Sequence, residues 1–301
     1  MEWYSRKEVA IAMWNRLRDH EVKWLVDDPE RGEFGIRNTR VSRQDDVLTW
    51  LKILEARKRP VGVYLGTNIV DWSQIKLPPR LREGENWNKE AREDYRQLWK
   101  QYHDPEFLGK EKFLQTWKGK IMVWDIDDEN LSQAFMIALK IHNELSSRGF
   151  NPEMIFSGGK GFHIILGCEE AAELSGVTLR DFIHERNPLK TLGKHYREAV
   201  QSVATIATGE PLYRYDMAPT HRMGLIRCPY SLHQKTGLPV WPLSSEEIGA
   251  LQDNLEDGKT YAPLDIAQIL FSWTTTDWWD QEVPTSPMSE IWKRHKWLFG
   301  S

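Results

Sequence analysis

Cysteine is scarce in this chain: Cys168 and Cys228 are the only two in 301 residues. No CxxC pair occurs, which excludes a structural zinc site built on paired cysteines, and no zinc is expected. The opening stretch MEWYSRKEVAIAMW lacks the basic-then-apolar design of a signal peptide. Without an export signal, reduced thiols are expected rather than a disulfide. Val9, Met13 and Leu17 recur there at helical spacing instead. Long apolar runs are missing too. Nothing approaches the roughly 18 residues of a spanning helix, so no membrane role is expected and the location expected is intracellular, cytoplasmic or nucleoid. The Walker pattern GxxxxGK[ST] is absent, which excludes the common helix-capping phosphate loop. No repeat or low-complexity segment is visible.

Net positive charge is also lacking. The total is −4, which looks wrong for a nucleic-acid binder. Distribution matters more than the sum. From Ser244 onward the chain carries ten acidic and four basic residues, leaving 34 acids and 36 bases in residues 1–243. The acidity therefore belongs to the tail, which also holds Trp273, Trp278, Trp279, Trp292 and Trp297, either core or a docking surface. In RGEFGIRNTRVSR, Arg31, Arg37, Arg40 and Arg43 face one acid, Glu33. Such spacing suits a nucleic-acid phosphate track, with Arg37, Arg40 and Arg43 as the candidates; a solvated strand or loop face is the plain alternative.

What is present reads as one α/β (α+β) domain over 1–301. Its parts are an N-terminal lobe at about 1–75, a charged helical insertion at about 76–119, a core at about 120–243 and the acidic, tryptophan-rich segment 244–301. SRQDDVLTWLKILEARKRP opens with a weak capping box and runs helical to Pro60. VGVYLG (61–66) reads as a buried strand. From 120 to 166 the order is strand (KIMVWDID), helix (131–149, with Leu131, Phe135, Ala138, Ile141 and Leu145 on one stripe and Gly149 to stop it), strand (EMIFS), glycine loop, strand (FHIILG). A helix with Tyr196, Val200, Val203 and Ala207 in register follows, then the short strand GLIR.

Three stretches carry chemistry. In WDIDDEN, Asp125 and Asp127 are two apart on a strand and project from one face. Paired carboxylates repel unless a cation neutralises them, and their oxygens suit Mg²⁺ or Mn²⁺. A strand end with solvated acids is the plain alternative. In SGGKGFHI, Gly158, Gly159 and Gly161 open backbone conformations closed to other residues, and the loop's amides are expected to stay free for a phosphate. Ser157, Lys160 and His163 stand beside it; a simple hairpin turn does not need the histidine. In YDMAPTHRMGLIRCPYSLHQKTG, Asp216 could supply a third carboxylate and Arg227 a fork donor for phosphate. Ser231, His233 and Lys235 alternate, so an extended segment would put them on one face.

The ordered set DID, SGGKGFHI, then an aspartate ahead of LIRCPYSLHQKTG resembles the archaeo-eukaryotic primase superfamily, near the catalytic small subunit of DNA primase. The likeness covers 120–240, with weaker similarity upstream through YSR, EF and VGVYLG. It implies a primase-polymerase fold, in which mixed sheets form a catalytic module like an RNA-recognition motif, flanked by the N-terminal lobe. It further implies Asp125, Asp127 and Asp216 as catalytic metal ligands for two divalent ions, Mg²⁺ or Mn²⁺. Ser157, Gly158, Lys160, Gly161, His163, Arg227, Ser231, His233 and Lys235 would bind the nucleotide. Gly159 stands where many relatives carry another basic residue. The zinc knuckle of many small subunits is missing, which fits a compact primase-polymerase of a mobile element, repair pathway or defence system.

The activity expected is template-dependent nucleotidyl transfer, making primers or extending 3′ ends from NTPs or dNTPs on a single-stranded DNA template. An accessory primase subunit, a helicase or a fused domain are the partners expected. The rivals are an end-joining repair polymerase with the same core and a non-catalytic nucleic-acid-binding subunit. Three intact carboxylates argue against the last, because binding alone has no use for a repulsive acidic cluster.

Overall fold

The computed structural model describes residues 2–28, 32–39, 41, 47–49, 51, 62–71, 109–209, 215–256 and 258–271. Arg31, Arg40, Arg43, the insertion up to residue 108, most of the helix expected before Pro60 and the tryptophans from Trp273 onward lie outside them.

In chain order the elements are α1 (Glu2–Ser5), α2 (Lys7–Leu17), β1 (His20–Asp28), β2 (Gly32–Thr39), β3 (Gly62–Val70), α3 (Lys110–Thr116), β4 (Trp117–Lys120) and β5 (Met122–Asp127). Then come α4 (Leu131–Ser147), β6 (Glu153–Phe156), β7 (Gly161–Leu166), α5 (Cys168–Ser175), α6 (Pro188–Thr208), β8 (Tyr215–Asp216), β9 (Leu225–Arg227), β10 (Trp241–Pro242), α7 (Ser245–Asn254) and α8 (Pro263–Phe271). The class is mixed α/β. The strands form two sheets, and the pairings are antiparallel. The first runs β2-β1-β3-β4, with β9 also on β3; the second runs β10-β6-β7-β5-β8. The strand expected at GLIR thus joins the N-terminal sheet, not the one that carries the carboxylates.

Alternation on β5 decides where the chemistry lies. Met122, Trp124 and Ile126 are buried, and α4 and α6 pack on this sheet. Trp124 Nε1 donates to the Val200 carbonyl of α6 at 3.0 Å. Phe135 of α4 meets Phe162 of β7 with ring centroids 5.6 Å apart. Burying each such side chain is worth about 1.5–3 kcal/mol. With the even positions committed to the core, Asp125 and Asp127 emerge on the opposite face. Helix α4 starts where expected, the Asn130 side chain accepting from Ser132 N at 3.1 Å, and stops before Gly149. Its stripe Leu131, Phe135, Ala138, Ile141 and Leu145 is buried throughout.

The face of the second sheet opposite α4 is closed at one end by α2. Arg16 of α2 makes a bidentate ion pair with Glu153 of β6, and both side chains are largely buried. Val9, Met13 and Leu17 are buried in α2, as their spacing predicts, together with Ala10 and Ala12. Both cysteines are free thiols. Among the described residues, no helix is long and apolar enough to cross a membrane.

Candidate active site

The site begins as a row across three strands. Asp125 of β5 is in register with His163 of β7 on one side and with Asp216 of β8 on the other. Directly opposed residues of an antiparallel pair share a face. Asp125, Asp216 and His163 therefore line up, with Asp127 one pleat along. The three carboxylates read from the sequence are brought together on one sheet surface.

Each is also engaged locally. His163 is buried, its Nε2 3.2 Å from Asp125 Oδ1. Its Nδ1 is buried with no hydrogen-bond partner. Asp216 is exposed, and its Oδ1 accepts from the Ala218 amide at 2.8 Å. Asp127 Oδ2 stands 3.5 Å from Lys160 Nζ of the glycine loop. Burial and the charge of Asp125 push the Asp127 carboxyl up, against the pull of Lys160 and His163. Among the described residues, no three His, Cys, Asp or Glu side chains come together as a ready ion cage. The donor set still suits a hard divalent cation. It is all carboxylate oxygen, and it carries a mutual repulsion that a cation would relieve.

The glycine loop joins β6 and β7, a hairpin whose strands pair antiparallel. Its amides do not behave as expected. The Gly159 and Gly161 N–H groups donate to Ser157 Oγ at 3.2 and 3.3 Å, so the serine closes the loop from within. Ser157 is itself buried. The glycines serve close approach instead. A side chain on Gly161 would begin 2.0 Å from the Ile126 carbonyl oxygen of β5 and 2.6 Å from Asp127 Oδ1. One on Gly159 would begin 2.6 Å from His233 Nε2. The space beside Gly159 is filled by an imidazole from another segment.

That segment, residues 228–240, is a compact turn rather than an extended run. Tyr230 has φ 69°, and it reverses the chain. Its amide donates to the Val240 carbonyl at 2.7 Å, and His233 N donates to Leu238 O at 2.8 Å. The shared face expected for Ser231, His233 and Lys235 does not form. Ser231, expected in the nucleotide-binding set, is fully buried and donates to the Cys228 carbonyl at 2.7 Å. His233 and Lys235 remain at the site's edge, His233 half-buried and Lys235 exposed. The turn clasps the glycine loop through Thr236, whose Oγ1 donates to the Gly158 carbonyl at 2.5 Å.

His233 Nδ1 accepts the Lys235 and Thr236 amides, both at 3.3 Å. Its Nε2 is then the protonated nitrogen of a neutral ring, and it faces the loop. Burial, with Arg227, Lys235 and His163 nearby, pushes its pKa down to about 3. A neutral donor among cations is what a polyanion's arrival would exploit.

Arg227 on β9 donates through Nη1 to Gln234 Oε1 at 2.5 Å, and its guanidinium lies 5.0 Å from the ring centroid of Tyr64. Tyr64 donates to the same Gln234 oxygen at 3.1 Å, and Lys23 of β1 sits 5.3 Å from its ring centroid. The register places Lys23, Tyr64 and Arg227 in a row across β1, β3 and β9. Sequence reasoning missed Lys23, Tyr64, Gln234 and Thr236. Alternation in VGVYLG, with Val63 and Leu65 buried, is the signal that sets Tyr64 on the other face. Of the arginines expected along a nucleic-acid track, Arg37 lies on β2.

No protein-family model matches the chain, and no curated protein does. Among solved structures it is similar to the polymerase domain of Mycobacterium tuberculosis ligase D in complex with DNA, at 12% identity and TM-score 0.48, over 88% of this chain and 85% of that one. It is also similar to the catalytic domain of primase RepB′ in complex with initiator DNA, at 12% identity and TM-score 0.34, over 87% and 92%. A third is primase RepB′, at 12% identity and TM-score 0.32, over 96% and 68%.

Proposed function

We propose that this chain is a template-dependent nucleotidyltransferase of the primase-polymerase kind, acting on NTPs or dNTPs. The observation that carries the reading is the cross-strand row Asp216–Asp125–His163 with Asp127 beside it. Three polar groups in register, with a fourth one pleat along, have no structural need to be there. Cationic groups approach the same surface: Lys160 from the glycine loop, Lys235 from the 228–240 turn, and Arg227 on the adjoining sheet, with the neutral ring of His233 among them. An acidic floor under a basic wall fits a polyanion bridged to protein by cations.

Asp125, Asp127 and Asp216 would hold Mg²⁺ or Mn²⁺. Two such ions, when bound, activate a 3′-hydroxyl and stabilise the pyrophosphate leaving from the α-phosphate. The chain's own residues do the rest. His163 braces Asp125 and keeps its carboxylate aimed. Lys160, now 3.5 Å from Asp127 Oδ2, would offer its ammonium to a phosphate oxygen. His233 offers an N–H donor, and Arg227 a planar fork, to the triphosphate. Gly161 lets β7 lie close against Asp127, so the loop and the carboxylates act as one surface. Single-stranded DNA as template is proposed on the same reading, with Arg37, Arg40 and Arg43 as candidates for its phosphates.

The test is nucleotide incorporation on single-stranded DNA with labelled NTPs and dNTPs and Mg²⁺ or Mn²⁺, with and without a primer. Incorporation lost in Asp125→Asn and Asp216→Asn supports the reading, and primer dependence separates extension from initiation. Metal-dependent degradation of the template without incorporation would replace it with a nuclease.

A further inference from the structure

Lys120 is the least expected residue of the core. It ends β4 and is 1% exposed. Its ammonium has two acceptors: Thr67 Oγ1, and the His221 carbonyl oxygen at 3.0 Å. Neither is charged. Burial alone pushes its pKa down to about 7, and no carboxylate contributes to the shift. Burying an amine this way costs stability, and an apolar side chain of the same length would avoid the cost.

What Lys120 holds is the connection from Met217 to Gly224. Thr67 Oγ1, which accepts from Lys120, donates onward to Pro219 O at 3.0 Å, with Gly224 O 3.3 Å away. The Thr67 amide also donates to Gly224 O, at 2.9 Å. The next residue, Asn68, donates to Arg222 O at 2.8 Å. Four carbonyls of one connection, those of residues 219, 221, 222 and 224, are thus received by three neighbouring groups of β3 and β4. At one end of the connection stands Asp216, whose carboxylate accepts from its second residue, Ala218. At the other end, β9 begins and Arg227 follows. Asp216 is on the second sheet and Arg227 on the first. The connection is where the acidic floor and the basic wall are joined covalently.

We propose that Lys120 is a positioning residue: through Thr67 and the His221 carbonyl it fixes the 217–224 connection, and with it the spacing of Asp216 from Arg227. It touches no substrate. Its effect on turnover rests on the functional reading above, whereas its effect on the connection does not.

Lys120→Met fills the same volume without donors. Thr67→Val removes the relay hydroxyl while keeping the branched shape, and Thr67→Ser restores it. Amide hydrogen exchange is measured without ligand, together with Mn²⁺ binding and nucleotide incorporation. In both Lys120→Met and Thr67→Val, amides of residues 217–224 exchange at least tenfold faster. Those of β5 and β7 are unchanged. Mn²⁺ binds several-fold more weakly, and kcat falls at least tenfold with little change in the KM for template. Thr67→Ser recovers most of each effect. If Lys120→Met does not fold, the Thr67 pair decides alone. Unaltered exchange across 217–224 in both variants overturns the proposal, as does a loss of activity that merely tracks thermal stability. If the wild-type chain incorporates no nucleotide, the functional reading fails, and the exchange and Mn²⁺ measurements still decide the role of Lys120.

Discussion

The imidazole of His233 occupies the space that a side chain on Gly159 would need, its Nε2 2.6 Å from where that Cβ would stand. Two segments some seventy residues apart are thereby packed ring against backbone. Gly159→Ala must displace the ring, and two amide bonds on Nδ1 resist the shift. The expected outcome is an intact fold with several-fold weaker nucleotide binding, read by calorimetric or fluorescence titration. Gly161→Ala differs in kind. The obstacle there is a backbone carbonyl at 2.0 Å, so β5 and β7 must separate. A loss of about 3 kcal/mol or more is expected by denaturant titration.

Asp125→Asn and Asp127→Asn should abolish incorporation while leaving the melting temperature equal or higher. Burial and the neighbouring charge hold the Asp127 carboxyl above its ordinary value, so removing a charge relieves a cost. Near wild-type incorporation by both variants would refute the metal assignment.

The ion pair between Arg16 and Glu153 ties α2 to β6 in largely buried surroundings. Glu153→Ala leaves a buried guanidinium and should cost about 3–5 kcal/mol. Replacing both partners together by methionine and leucine should cost far less, because no uncompensated charge remains. Equal destabilisation by the single and double variants in urea melts would show that the packing, and not the charge, carries the contact.

Lys120 makes stability depend on alkaline pH. Its pKa is about 7 in the folded chain against 10.5 for the free side chain. Between these values the unfolded chain takes up a proton that the folded chain refuses. The penalty is therefore absent above the higher value, grows as pH falls toward about 7, and is constant below it. The thermal midpoint of wild type relative to Lys120→Met should rise across that window as pH increases. A difference independent of pH would mean that Lys120 stays charged when buried. The Cys168 thiol of α5 also packs against β4, beside Gly119, and burial pushes it up, while Asp71 pairs with Lys118 of β4.

The alternation of Asp125 and Asp127 with buried Ile126 and the helical stripe of 131–145 were legible because each residue's side follows from its neighbours alone. The three chemical stretches were legible as a set, and the register of β5 with β7 and β8 brings their key residues into one row. Ser231 was not legible. Its alternation with His233 presumed extended backbone, and the positive φ of Tyr230 breaks that presumption. The free amides expected of the glycine loop were misjudged because the hydroxyl that captures them belongs to the loop itself. Lys120, Tyr64 and Arg16 owe their meaning to partners between 53 and 170 residues away: Thr67 for Lys120, Gln234 for Tyr64 and Glu153 for Arg16. No local pattern encodes those partners.

Two side chains from the first turn of the chain reach the far end of this architecture. Trp3 Nε1 donates to the Tyr230 carbonyl at 2.8 Å, and Tyr4 Oη accepts the Leu232 amide at 2.7 Å. These contacts close loops of 227 and 228 residues, among the longest the chain can make. Closing such loops costs entropy that only a nearly finished fold can offset, and contacts of this range form slowly. Because α1 precedes the 228–240 turn in the chain, these two hydrogen bonds can form only after the turn has been made. Strands β5, β6 and β7 all precede the 228–240 turn in the chain, so the strands that carry Asp125, Asp127 and His163 can pair before the turn that carries His233 and Lys235 is made.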